Sequence, residues 1–188
     1  GLEASCENTV DAVSEYLHGQ EIDGYAAVNM GAIGTINHMA GGVTVTIEDD
    51  FSEIDPDLKQ GETICLTDKQ AEEFIHDRWG VADETNENRM HRQAVYMTEL
   101  KRLIKEKCQQ SSTYPLDLYE SVQDYMVTSI NKSKFSKLAL LVAKEKDEGE
   151  VSVDGTVGTD ELGYATFEPN EQSLEAAIAE LFYEEYEE

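Results

Sequence analysis

Between Gly24 and Ile47 the chain carries no Asp, Glu, Lys or Arg, although acid crowds both sides of the block. An uncharged run of this length belongs in a core. At its end Val43-Thr44-Val45-Thr46-Ile47 alternates with period two. That predicts a strand with Val43, Val45 and Ile47 buried and the threonines on a wetter face. Tyr25 to Met30 reads as a partner strand, and Gly41-Gly42 as the turn signal before the second strand. Gly31 to Ala40 fits a strand or a helix. The block's five glycines, two asparagines, one histidine and three threonines make it too polar for a membrane span.

Elsewhere the apolar positions recur at helical spacing. Cys6, Val10, Val13 and Leu17 mark a helix over 5–18, closed by Gly19. Thr63 to Leu66 is a short strand. Thr67 and Gln70 form a capping-box pattern, opening a helix that should bury Ala71, Phe74, Ile75 and Trp79 and stop at Gly80. Asp83 to Thr85 can cap a longer helix to near Gln109, with Met90, Ala94, Met97, Ile104 and Cys108 on one stripe. Pro115 opens a helix running through Val122, Met126 and Ile130, and Phe135, Leu138, Ala139 and Val142 mark another. Asp154-Gly155 is a hairpin turn signal between Val151-Ser152-Val153 and Thr156-Val157, with Leu162 to Phe167 as a third strand. Pro169-Asn170 starts the last helix, with Leu174, Ala177, Ile178, Leu181 and Phe182 inward.

The expectation is an α+β chain of about six helices with two small antiparallel β segments, near 25–66 and 150–167, and a helical middle section. Three parts make one compact domain on this reading. Residues 1–80 are an acidic α+β part, 84–146 a helical part carrying most of the Lys and Arg, and 147–188 an acidic hairpin with a terminal helix.

Charge changes this picture more than composition does. The formal net charge is -26, from 40 acidic and 14 basic residues. Residues 1–77 hold 17 acids against 2 lysines, 78–146 hold 9 acids against 12 bases, and 147–188 hold 14 acids and no base. Self-repulsion on this scale opposes a compact state, so the charge must be tolerated or used. Salt adaptation would spread acid over the whole surface, and the middle third is slightly basic. Nucleic-acid binding through phosphates requires a net basic face. The bases from Arg89 to Lys107 are the one candidate patch, and a single aromatic residue, Tyr96, does not make the aromatic interleaving of such a surface.

Candidate chemistry is sparse. The chain has no P-loop, GxSxG, HExxH or EF-hand spacing, and Gly31-Ala32-Ile33-Gly34 lacks a dinucleotide-binding context. Glu15 with His18 and Glu73 with His76 each make a Glu-x-x-His unit, which di-iron bundles use twice. On a wheel at about 100° per residue each glutamate sits about 160° from its apolar neighbour, Leu17 or Ile75. Both units therefore face solvent, and neither a metal site nor a cofactor is expected. Cys65 reads as a buried, inert thiol rather than a nucleophile toward His76 or His91. His38 reads as a hydrogen-bonded core histidine, and Trp79 and the methionines as core. Three cysteines, Cys6, Cys65 and Cys108, without a CxxC pair suggest reduced thiols in a cytosolic protein.

Acid concentrated in the two flanks points to an interaction protein that offers carboxylates to a basic partner, in the manner of a nucleic-acid-mimicking inhibitor of phage or mobile-element type or of an immunity protein. The contact residues on this reading are Glu48, Asp49, Asp50, Glu53, Asp55 and Asp57, together with Glu184, Glu185, Glu187 and Glu188 of the tail. Such a protein is expected to be no enzyme, to touch neither nucleic acid nor membrane directly, and to sit in the cytoplasm. The alternatives are an assembly component, for instance within a virion, and an enzyme with an unrecognised site.

Overall fold

The computed structural model describes residues 1–188 apart from Asp83, Asp147, Glu148, Glu150 and residues 184–188. The described residues form an α+β fold of seven α-helices and three two-stranded antiparallel sheets. The elements are α1 (Leu2–Tyr16), β1 (Ala26–Val28), α2 (Ala32–Ala40), β2 (Thr44–Thr46), β3 (Thr63–Cys65), α3 (Asp68–His76), α4 (Asn86–Gln110), α5 (Tyr114–Val122), β4 (Met126–Thr128), α6 (Lys132–Val142), β5 (Gly155–Thr159), β6 (Ala165–Pro169) and α7 (Glu171–Phe182). The chain divides into two compact units, residues 1–6 with 24–145, and residues 7–23 with 146–188. Among the described residues no helix is long and apolar enough to cross a membrane.

In the larger unit the uncharged block is core only from Ala32 onward, with Ala32, Ile33, Asn37 and Ala40 buried; β1, expected in the core with the rest, is exposed along its length, so missing charge alone did not place it. Val43, Val45 and Ile47 are buried while Thr44 and Thr46 are exposed, and Phe51, Leu58, Leu66, Phe74, Val81 and Tyr96 close around them. The partner of β2 is β3, in the register Val45 opposite Ile64. Tyr25 to Met30 was the expected partner; instead β1 pairs with β4, Ala27 opposite Val127. The reason lies at Gly41-Gly42. Both have left-handed φ, +93° and +90°, and their N–H groups donate to the last carbonyls of α2. The pair therefore stops a helix rather than turning a hairpin. A Cβ on Gly42 would lie 2.4 Å from the Cys65 sulfur, so the position admits glycine alone. Ala32–Ala40 resolve as α2, with Gly31 at its N-cap, which removes β1 from the reach of β2. The expected helix through Ile130 also ends early, at Val122, because 126–128 is taken up as the strand that pairs with β1.

One buried polar side chain ties the larger core together. Asn37, on α2, donates to the Leu66 carbonyl at 3.0 Å and to Asp68 at 3.1 Å, and accepts from the Val43 N–H at 3.0 Å. The Tyr96 hydroxyl adds a longer contact at 3.4 Å. A fully satisfied buried amide fixes α2, β2, α3 and α4 in one arrangement.

In the smaller unit β5 and β6 pair as a ribbon with Val157 opposite Phe167. Its turn lies at 160–164, where Asp160 accepts the N–H groups of Leu162 and Tyr164, and not at Asp154-Gly155. Gly155 sits inside β5, where an added Cβ would meet the Phe167 ring at 2.3 Å. It is a close-approach glycine rather than a turn glycine. Asn170 caps α7, which buries Leu174, Ala177 and Ile178, whereas Leu181 and Phe182, expected inward, are exposed.

Candidate functional site

Three of the chain's four arginines, Arg78, Arg89 and Arg92, fall within 15 positions of one another. In a protein of net charge -26 that concentration has to be held by structure. The larger unit does so with the end of α3, the loop 77–85, the first turns of α4 and the start of the acidic loop after β2. The Thr67–Gln70 capping box opens α3 as expected. Thr85, one of the expected caps, caps α4 by accepting the Asn88 N–H at 3.2 Å; Asp83 lies outside the described residues.

Arg92 is the centre of this corner. It is 4% exposed. Its Nε donates to the Phe74 carbonyl at 3.0 Å, one terminal nitrogen donates to Asp49 at 3.1 Å, and the other donates to the Asp77 carbonyl. Its guanidinium also lies 5.2 Å from the Phe51 ring centroid, and Phe51 stacks on Phe74 at 5.7 Å. Asp49 receives a second hydrogen bond, from Asn88 at 3.2 Å. A planar fork of donors suits this convergence of carboxylate and carbonyls, where a lysine would not reach all three. Arg92 is thus a clamp that fastens α4 to the end of α3 and to the acidic loop.

The loop fastened by that clamp is strained. Ala82 and Glu84 have φ of +47° and +58°, and Gly80 has +78°. For residues with a Cβ each such conformation costs on the order of 1–3 kcal/mol, and strain of this kind collects at functional sites. Glu84 accepts the Gly80 N–H at 2.9 Å, and the buried Val81 anchors the middle of the loop. Arg78 and Trp79 project from it, with the Arg78 guanidinium 4.3 Å from the Trp79 ring centroid. One helical turn before Arg92, Arg89 donates to Asn86 at 2.7 Å. Its Nε is buried and has no hydrogen-bond partner. Among the described residues only one other buried side-chain polar atom is in that state, an oxygen of Glu73. Two histidines stand beside carboxylates nearby, His91 against Glu48 at 3.1 Å and His76 against Asp77 at 3.3 Å.

The acidic loop is dispersed in its duties. Glu48 and Asp49 face the arginine corner. Asp50 is exposed and caps the following turn through the Ser52 N–H at 2.9 Å, which holds its carboxyl below the usual carboxylate range. Asp55 accepts from the Asp57 N–H and from Gln70, Glu53 lies against Gly80, and Asp57 is exposed. Glu184, Glu185, Glu187 and Glu188 lie outside the described residues.

Several expectations for single residues are corrected. Trp79, expected in the core, is 67% exposed, and Met30, Met90 and Met97 are exposed as well. Cys65 is exposed because it occupies the outward register of β3. His38 is an exposed residue paired with Asp68 at 3.3 Å rather than a core histidine. It lines an open groove of about 450 Å³ with Gly31, Thr35, Lys69 and Ser121. Glu73 points inward enough to bury one oxygen, while the other pairs with Lys69. Among the described residues no three His, Cys, Asp or Glu side chains are grouped to hold a metal ion.

The model of the LytR_cpsA_psr family matches residues 6–182. The chain belongs to that family. No curated protein matches the chain. Solved structures share the fold: Lin1025 of Listeria innocua at 21% identity and TM-score 0.61, the transcriptional regulator EF0465 of Enterococcus faecalis at 18% and 0.69, and TagV of Bacillus subtilis at 19% and 0.66. They cover 93, 93 and 95% of this chain, which in turn spans 71, 63 and 71% of theirs.

Family membership overturns the functional expectation drawn from charge. The chain is not an acidic inhibitor or nucleic-acid mimic of phage type, and a basic protein surface is not its partner. The expectation that it is no enzyme is corrected on the same ground. Charge misled because a count of carboxylates weights exposed and clamped residues alike. The signal that was available is the run of arginines from 78 to 92. The exposed aromatic residue beside these arginines is Trp79, ten positions before Arg89 and stacked on Arg78, whereas Tyr96, inside the window 89–107, is buried.

Proposed function

We propose that this domain is the catalytic part of a transferase acting on a phosphate-linked glycopolymer of the cell envelope, with Arg89 receiving the phosphate of the donor. Family membership supports the enzymatic reading. The observation that carries the residue assignment is the buried, unpartnered Nε of Arg89. A buried guanidinium donor without an acceptor costs about 1–3 kcal/mol or more, because it is charged. Phosphate oxygens, like carboxylates, match the donor fork of a guanidinium. Arg92 does not compete for the ligand, since all three of its nitrogens are already engaged. In group transfer, negative charge builds on the phosphate oxygens as the bond to the leaving group breaks, and fixed guanidinium groups stabilise it.

A nucleic-acid role, of the kind the EF0465 description carries, is not favoured here: a chain of net charge -26 repels a phosphate backbone over any extended contact. The test is transfer of a labelled, phosphate-linked glycopolymer onto a cell-wall acceptor. Arg89→Ala should lower kcat/KM about 100-fold or more, the scale found for loss of one charge-stabilising donor. Transfer by Arg89→Ala at the wild-type rate would overturn the assignment.

A further inference from the structure

We propose that Trp79 is a stacking platform for the sugar ring that bears the phosphate, an inference that rests on the reading of Arg89 as a phosphate site. An indole 67% exposed leaves a large apolar face in water, which calls for an occupant. Trp79 is also not free to fold away. Arg78 covers one face at 4.3 Å, the Gly80 N–H bond to Glu84 and the buried Val81 hold the loop after it, and the Arg92 bond to the Asp77 carbonyl holds its base. One face of the ring is therefore oriented and open, with its ordering cost met by the fold before any ligand arrives.

The surroundings select the chemistry of that ligand. Glu53 lies against Gly80, Glu84 accepts the Gly80 N–H, and Asp77 precedes Arg78. Carboxylates at Gly80, the residue next to Trp79, disfavour an anion stacked on the indole and accept hydroxyl protons. A neutral, hydroxyl-bearing ring with C–H groups on one face meets both conditions. The phosphate attached to it then belongs toward Arg89 rather than on the indole. A purine also stacks on tryptophan, and it presents fewer hydroxyls to the carboxylates.

The chain provides its own reporter, because Trp79 is its one tryptophan. Fluorescence of the full chain is titrated with N-acetylglucosamine 1-phosphate, N-acetylglucosamine, inorganic phosphate and adenosine monophosphate, and calorimetry follows the same ligands with Trp79→Ala, Trp79→Phe and Arg89→Ala. The sugar phosphate should change the Trp79 emission. Trp79→Ala should weaken its binding about 3- to 10-fold, the equivalent of one aromatic stacking contact. Trp79→Phe should restore most of that loss, and inorganic phosphate should bind all forms except Arg89→Ala. Sugar-phosphate binding unchanged by Trp79→Ala, or adenosine monophosphate binding more tightly than the sugar phosphate, would overturn the platform and leave the phosphate reading intact. Emission changes and Trp79-dependent binding with sugar and sugar phosphate alike, indifferent to Arg89→Ala, would keep the platform and overturn the phosphate reading. Absence of binding by every ligand would overturn both.

Discussion

The acidic loop at 48–57 gathers six carboxylates and the corner at 78–92 gathers three of the four arginines, and the two regions differ in what holds their charge. Asp49 and Asp50 make the contrast at its sharpest. They are adjacent carboxylates of the same kind. Asp49 has a side chain 13% exposed, bonded to Arg92 and Asn88, whereas Asp50 stands in water and serves its own turn. Arg89 and Arg92 repeat the contrast one turn apart on α4: Arg92 is fully engaged and Arg89 keeps a buried donor without an acceptor. A charge that is clamped supports the fold, and a charge that is held but unsatisfied is available to a ligand. Density of charge along the sequence distinguishes neither.

The largest effect should come from breaking the clamp. Arg92→Ala leaves Asp49 as an uncompensated, nearly buried carboxylate and two carbonyls unpaired, so it should lower unfolding free energy by about 3–5 kcal/mol in urea titrations. Asp49→Asn keeps the Arg92 bonds to Phe74 and Asp77 and should lose less. Equal losses for the two would mean the carbonyl contacts contribute little. Arg89→Ala sharpens the comparison on the same helix. With no buried partner to orphan and an unsatisfied donor removed, it should leave the unfolding free energy unchanged or raise it, by up to about 1–3 kcal/mol, while removing phosphate binding. A large stability loss would recast Arg89 as a second clamp.

Alkali gives a third, smaller effect. Burial, with the charge of Asp68 adding to it, pushes the Tyr96 phenol up to about 12 from 10.0. The folded state thus favours the protonated phenol. That contribution is fully present below pH 10 and fades as pH rises toward 12. Tyr114, likewise pushed up to about 12 by burial, behaves in the same sense. Urea midpoints should fall across this interval, and Tyr96→Phe should flatten part of the fall. An unaltered pH slope in Tyr96→Phe would assign the alkaline loss elsewhere. The smallest effect belongs to the exposed acids. Asp50→Asn, Glu53→Gln and Asp57→Asn combined should leave the urea midpoint within error of the parent, since none of them has a buried partner. A clear rise would show that self-repulsion in the loop costs stability after all.

Local signals carried far along this chain. The Thr67–Gln70 box, the alternation of Val43, Val45 and Ile47, the Gly19 stop after α1 and the Pro115 start of α5 were legible because each is decided by residues within a turn or two. The uncharged composition of 24–47 located the core correctly from Ala32 to Ile47 and overreached at β1, which is exposed. Strand pairing was beyond local reading. β1 meets β4 across about a hundred residues, and Gly41-Gly42 has the same local signature whether it ends a helix or turns a hairpin.

The site divides along the same line. By itself the sequence determined that three of four arginines and the one tryptophan stand close together in an otherwise acidic chain. Only the tertiary structure decided that Arg92 turns inward onto Asp49 and two carbonyls, that Arg89 retains an unpartnered nitrogen, and that Trp79 faces out with Arg78 on one side. Whether a charge or an aromatic is spent on the fold or left for a ligand depends on acceptors and neighbours contributed from distant positions, here residues 49 and 74 to a helix that begins at 86. No periodicity within a helix encodes that choice, because the energy that settles it is paired burial across elements.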